Sequence, residues 1–216
     1  MIDLYTWTTP NGRKVSILLE ELGVPYTVHS IDIGKDDQFA PDFLKISPNN
    51  KIPAIVDQET GQTLMESGAI MLYLANKYGR FSASGQEYWR MVEWLMWQMG
   101  GLGPMLGQAH HFVKFNKGTS EYAEKRYGGE AKRLYGVLNT RLDGRDYIVG
   151  EGRGQYTIAD MAIFPWIARF EWQEVDLNAF GNVRDWYLRI AELPAVQIGY
   201  QVPKHIGDIP MPLAPL

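Results

Sequence analysis

Three short stretches in the first third of the chain combine residue types able to handle a small polar ligand. The first is Thr8-Thr9-Pro10-Asn11, which follows the strand-like run Ile2–Trp7. Proline is favoured at the first helical position, so Thr9 stands where a helix N-cap belongs. A threonine hydroxyl does not ionise near neutral pH. Like the Asn11 amide, it can donate a hydrogen bond to an anion but cannot take a proton away. A helix N-terminus adds partial positive charge and lowers the pKa of a thiol brought to it. The Thr9 hydroxyl either caps its own helix or faces a ligand sulfur, and both readings stand. The second stretch, "SPNNKIPAIVD" (Ser47–Asp57), places Pro53 at the entry to a strand. That bend either caps the strand or leaves the Ile52 N–H and C=O to pair with an extended peptide. The third is Glu66-Ser67, ahead of an apolar helical stripe. Ser67 reads as an N-cap. A hydroxyl and helix N–H groups favour a ligand carboxylate, and the adjacent acid favours an ammonium, so the pair suits an α-amino acid head group.

The chain has 216 residues and no cysteine. Disulfides, thiolate metal sites and a cysteine nucleophile are therefore excluded. If the first corner handles a sulfur, that sulfur arrives with the ligand. An extended peptide carrying an α-amino acid end and a thiol fits all three stretches. Lys plus Arg is 21 against 25 Asp plus Glu, a net charge of −4, which speaks against nucleic-acid and anionic-membrane partners. The longest clean apolar run, Ala69–Ala75, is too short to span a bilayer, and Met1-Ile2-Asp3 opens no signal peptide. The expectation is a soluble intracellular protein.

The elements that must hold these stretches follow from periodicity. Ile2–Trp7 reads as a strand; Val15, Leu18, Leu19 and Leu22 form one helix face ended by Gly23 and Pro25. Tyr26–Ile33 is a second strand, Ala40–Ile46 a short helix or turn, Ile52–Asp57 a third strand and Gly61–Met65 a fourth. Ile70, Tyr73, Leu74 and Lys77 then mark a helix ending at Gly79. The order βαβαββα predicts an α/β domain with a parallel component and an antiparallel edge, and its three corners fall where open α/β sheets bind ligands. Strand signals nearly vanish after residue 86. Trp89, Val92, Met96 and Met99 mark a long helix whose stripe reads as core, with part of it read alternatively as the wall of an electrophile pocket or a dimer interface. Gly100–Pro104 suggests its kink or break. Further helices are expected over Glu121–Leu142, Thr157–Phe170 and Val183–Leu193. Residues 201–216 hold four prolines and read as an extended tail. The expected division is a domain at 1–79, a linker at 80–86, an all-helical domain at 87–200 and the tail.

An α/β half with "NNKIPAIVD" and "ESGAI", followed by an all-helical half, resembles a cytosolic glutathione transferase with its thioredoxin-like N-terminal domain. "YTIADMAIFPW" (Tyr156–Trp166) resembles the family's capping box, with Thr157 as N-cap and Asp160 bonding back. "TTPNGRK", "DIGKDDQF", "ISPNNKIPAI" and "GGLGPMLGQAHHF" resemble the bacterial nu class, whose members are disulfide-bond reductases. The resemblance covers about residues 1–193. It implies glutathione as cosubstrate, one or two molecules per site, one thiol attacking and the other resolving. It implies that Ile52 pairs through its main chain with the glutathione cysteine beside a cis Pro53. Glu66 and Ser67 would hold the γ-glutamyl ammonium and carboxylate. Gln38 and Lys51 would lie toward the glycyl end, and Thr9 and Asn11 near the sulfur. Arg133 matches an arginine brought from the helical half, though it also reads as a solvated helix face. A cytoplasmic homodimer acting on small disulfides, with organic hydroperoxides and electrophiles as further substrates, is implied. A conventional conjugating transferase and a non-catalytic binding module are the alternatives.

Other signals carry little. His110 and His111 are adjacent on a helix and point about 100° apart, so no metal is expected. "GEGRGQ" (Gly150–Gln155) lacks dinucleotide-binding spacing and reads as a loop. Pro212-x-x-Pro215 is a weak match to a proline-rich recognition pattern.

Overall fold

The computed structural model describes residues 1–213. The chain forms two compact units. One comprises Met1–Ser82 with Glu192–Ile209, and the other Ala83–Ala191 with the described tail from Pro210. Among the described residues no helix is long and apolar enough to cross a membrane.

The first unit runs β1 (Ile2–Thr6), α1 (Pro10–Leu22), β2 (Tyr26–Ser30), a 3-10 turn (Asp37–Phe39), α2 (Pro41–Ile46), β3 (Ala54–Asp57), β4 (Gln62–Met65) and α3 (Ser67–Tyr78). This is the expected βαβαββα order. The sheet order is β2-β1-β3-β4. β1 and β2 are parallel, with Ile2 opposite Tyr26. β3 is antiparallel to both neighbours, with Ala54 opposite Tyr5 on β1 and opposite Met65 on β4. The stripe Val15, Leu18, Leu19 and Leu22 is buried, as its spacing predicts. Gly23 (φ 67°) and Gly79 (φ 63°) end α1 and α3 in the left-handed conformation that glycine adopts most cheaply. Asp57, at the end of β3, is fully buried and accepts from Lys77 Nζ and, at 2.6 Å, from the Tyr73 hydroxyl. Burial opposes its ionisation, but these donors hold its carboxyl well below the ordinary range. The strand that begins at the second corner is thereby tied, at its far end, to the helix that starts at the third.

The second unit carries α4 (Gly85–Trp97), α5 (Gly103–Ala109), α6 (Glu121–Arg141), α7 (Ile158–Ile167) and α8 (Gly181–Ala191). Pro104 does not break the chain's helical path. A π-helical turn over Gln98–Leu102 absorbs it, with the Gly103 N–H bonded five residues back to the Gln98 carbonyl. The stripe read as core on α4 is corrected in part: Trp89 is 70% exposed and Met96 48%, and the buried side chains are Met91 and Leu95. Leu134, Leu138 and Leu142 are buried as expected. The capping box of α7 is present, and Asp160 also accepts from Ile148 N at 3.0 Å and Trp186 Nε1 at 2.9 Å.

The expected helical domain reaches residue 200, but the chain from Glu192 packs with the first unit. There α9 (Pro194–Tyr200) lies on α1. A Cβ on Gly199 would stand 2.6 Å from Ile17 Cα, so only glycine permits this approach. Ser16 Oγ donates to the Gly199 carbonyl at 2.6 Å, and Arg13 Nε donates to the Tyr200 carbonyl at 2.9 Å. The Arg13 guanidinium also covers the Tyr200 ring at 3.6 Å. Beyond α9 the described tail has no helix or strand, as its prolines predict, and Lys204 Nζ lies 4.3 Å from the Trp7 ring centre. Pro215 of the Pro-x-x-Pro pattern falls outside the described residues.

Candidate functional site

Thr9 has extended backbone (φ −107°, ψ 161°) and is the N-cap of α1, its Oγ1 accepting from Gly12 N–H at 3.2 Å, with Pro10 at the start of the helix. The cap uses a lone pair of the hydroxyl; the hydroxyl proton can still donate elsewhere. The two readings of Thr9 are therefore compatible. A Cβ on Gly12 would stand 2.2 Å from the Trp7 carbonyl oxygen, so glycine here lets α1 begin hard against the end of β1. Tyr5 is not part of this corner. Its ring stacks on His29 at 4.5 Å, and burial raises its pKa.

At the second corner the Ile52–Pro53 bond is cis, as the resemblance implies. β3 begins only at Ala54, and Ile52 has no main-chain partner among the described residues. Ser47 Oγ donates to the Lys51 carbonyl at 2.8 Å and holds the loop that presents Ile52. The main-chain edge of Ile52 thus stays outside the β3 ladder.

At the third corner the expected cap is displaced by one residue. Glu66 occupies the N-cap position with φ 71° and ψ 111° and makes no side-chain capping bond; Ser67 is the first helical residue. A non-glycine residue in that region costs about 1–3 kcal/mol, and such strain gathers at binding sites. The cap therefore satisfies none of the first-turn N–H groups, which suits an anion held there.

These corners enclose a cavity of about 140 Å³. Asn11, Lys51, Ile52, Pro53, Glu66 and Ser67 line it, with Ser47 and Met65 completing the wall. Three expected site residues do not line it. Thr9 is the cap beside it. Gln38 sits in the 3-10 turn, with Nε2 3.4 Å from Asp36 Oδ1. Arg133, on α6 of the second unit, is paired with Glu130 at 2.7 and 2.8 Å, and its side chain is 59% exposed.

Sequence reading missed Lys14. It is 1% exposed, and its Nζ donates to Ser67 Oγ at 3.3 Å. Burial brings its pKa down to about 7, against the opposing charge of Glu66. Charged residues are expected at the surface, and no signal marked this one beyond its place beside the apolar stripe. In the second unit, His110 is buried with its Nε2 2.9 Å from Gln173 Nε2, and Tyr135 donates to Gln173 Oε1 at 2.6 Å. Burial and the Arg169 charge lower the His110 pKa to about 4. His111 contacts Asn116 instead.

A thioredoxin-like unit with this pocket and an all-helical unit define a class. Residues 4–84 match the glutathione S-transferase N-terminal domain and residues 102–194 its C-terminal domain. The chain belongs to the glutathione S-transferase family. Among its relatives, the disulfide-bond oxidoreductase YfcG of Escherichia coli is 48% identical over 201 residues, covering 90% of this chain and 92% of the relative. A glutathione transferase family member from Pseudomonas fluorescens, solved with two glutathione bound, has a TM-score of 0.87 and 44% identity, covering 94% of this chain and 93% of that one. A glutathione transferase from Pseudomonas putida, solved with one glutathione disulfide per subunit, has a TM-score of 0.86 and 42% identity, covering 94% and 91%.

Proposed function

We propose that this chain is a glutathione-dependent disulfide-bond oxidoreductase in which the reacting sulfur belongs to glutathione. The observation that carries this reading is the pocket: an unpartnered main-chain edge at Ile52 facing the Glu66-Ser67 pair, beside a helix corner that offers no ionisable nucleophile. In this reading Ile52 pairs with the cysteinyl main chain, Glu66 takes the γ-glutamyl ammonium, and Ser67 with the start of α3 takes the carboxylate. Thr9 and Asn11 donate to the sulfur, favouring the thiolate. Lys51 and Gln38 lie toward the glycyl end, and Arg133 serves a second tripeptide. The thiolate attacks one sulfur of a small disulfide and releases the other as a thiol. A second glutathione then resolves the mixed disulfide, so two glutathiones and one disulfide become glutathione disulfide and two thiols. The Escherichia coli oxidoreductase and the two glutathione-bound Pseudomonas structures support the assignment. Organic hydroperoxides are a second substrate class.

The same reading makes the chain a nu-class member and a cytoplasmic protein, in a compartment that keeps glutathione reduced. It makes the chain a homodimer, for which the exposed Trp89 and Met96 offer an apolar face. Gel filtration at the mass of one chain overturns the dimer. The functional test is turnover of a small dialkyl disulfide against an aryl halide, each with glutathione. Faster disulfide reduction is expected. Turnover of the aryl halide alone identifies a conjugating transferase, and failure to bind immobilised glutathione identifies a non-catalytic module.

A further inference from the structure

We propose that Ser47 is a positioning residue for the pocket: by tying down the Lys51 carbonyl, it aims the Ile52 N–H at the cysteinyl carbonyl of the bound tripeptide. This rests on the glutathione reading of the site. Ser47 directly follows α2 and is fully buried. All three of its polar groups are engaged. Its N–H donates to the Phe43 carbonyl at 2.8 Å, which fixes it to the end of α2. Its carbonyl accepts from the Asn50 N–H at 2.9 Å, which closes the turn over 47–50. Its Oγ donates to the Lys51 carbonyl at 2.8 Å. That carbonyl and the Ile52 N–H are the two ends of one planar peptide unit. The unit is trans, since the cis bonds among the described residues are those before Pro53 and Pro203. In a trans unit the C=O and N–H point in opposite directions. Holding the carbonyl on Ser47 therefore turns the N–H the other way. That N–H has no protein partner among the described residues, and Ile52 lines the cavity. No ladder bond steadies the unit, because β3 begins only at Ala54. Without the Ser47 hydroxyl the unit is left to rotate about its flanking φ and ψ bonds. The Ile52 carbonyl, the acceptor of the same edge, belongs to the next peptide unit. Ser47 thus governs the donor of the edge and not its acceptor.

The test compares two probes: γ-glutamyl-S-methylcysteine amide, and γ-glutamyl-S-methylcysteamine, which lacks only the cysteinyl carboxamide. The second keeps an N–H for the Ile52 carbonyl and loses the acceptor for the Ile52 N–H. In titration calorimetry Ser47→Ala should weaken the first probe by roughly threefold to tenfold, the range for one neutral hydrogen bond, and change the second by less than about twofold. In the wild type, the Ile52 amide proton should move downfield in the nuclear magnetic resonance spectrum on binding the first probe and hold its place on binding the second. An equal loss for both probes means a structural role and overturns this inference alone. So does an unchanged affinity of Ser47→Ala for the first probe, or an Ile52 amide proton that does not respond to it. No binding of S-methylglutathione by the wild type overturns the glutathione reading and this inference with it.

Discussion

Replacing Lys14 by methionine should make the unliganded protein more stable near neutral pH. An ordinary lysine titrates at 10.5, whereas burial holds Lys14 at about 7. That gap, 3.5 pH units, corresponds to about 5 kcal/mol at about 1.36 kcal/mol per unit. The sign follows from proton counting. Between pH about 7 and 10.5 the unfolded chain keeps the lysine proton and the folded chain releases it, so stability rises with pH across that window. At and below about pH 7 the folded state carries nearly the whole penalty. Methionine keeps an unbranched stem of similar length and removes the charge. The expected gain near neutral pH is about 1–4 kcal/mol, the range for replacing buried ionic groups by apolar ones. The assay is the urea midpoint of both proteins at about pH 7 and about pH 9, where the advantage of Lys14→Met should shrink by about 2 kcal/mol. A variant less stable than wild type at neutral pH, with an unchanged difference at high pH, refutes the reasoning.

Thr9→Ala should cost about 1 kcal/mol through the lost cap of α1 and raise the pKa of glutathione bound at the corner. Thr9→Ser should restore both, as read by thermal melting and by ultraviolet titration of the bound thiolate. Asp160→Ala leaves the Ile148 and Thr157 N–H groups and Trp186 Nε1 without their buried acceptor, so stability should fall by about 3 kcal/mol or more. The glutathione affinity of the folded protein should stay unchanged in the same preparation. His110 titrates at about 4 when folded, against 6.5 ordinarily, because of burial and the Arg169 charge. The unfolded chain therefore takes that proton first on acidification, and up to about 3 kcal/mol is lost as pH falls through that window. His110→Gln should flatten this slope in urea titrations across the same range.

Periodicity located the first unit well where its elements carry one-sided apolar patterns: Val15, Leu18, Leu19 and Leu22 on α1 are buried as their spacing predicts, and the apolar run that reads as β1 buries Ile2 and Leu4. It was less informative where burial is not one-sided. On α1 the side chains of Arg13 and Lys14 are buried beside the apolar stripe, through α9 and Ser67, which are partners distant in sequence. On α4 the stripe of large apolar residues is split, with Trp89 exposed and Leu95 buried. Pro104 reads as a helix break because the rule assumes an α-helical ladder, and a π-helical turn removes that assumption. Chemistry alone reads the Glu66-Ser67 pair as a ligand clamp, and both residues do line the pocket. Its geometry was not legible, since the cap position falls on the strained Glu66 rather than on the better capping residue. The third strand, expected from Ile52, starts at Ala54 instead, because the proline after Ile52 interrupts the ladder.

On the proposed function, the protein supplies a pocket and the ligand supplies the sulfur. A crystal structure of the chain soaked with glutathione disulfide tests it most directly. The cysteinyl main chain should pair with the Ile52 N–H and C=O, the γ-glutamyl group should lie on Glu66 and Ser67, and a glutathione sulfur should come within hydrogen-bond reach of Thr9 or Asn11. A tripeptide bound away from Ile52, or a sulfur turned from the α1 corner, contradicts it.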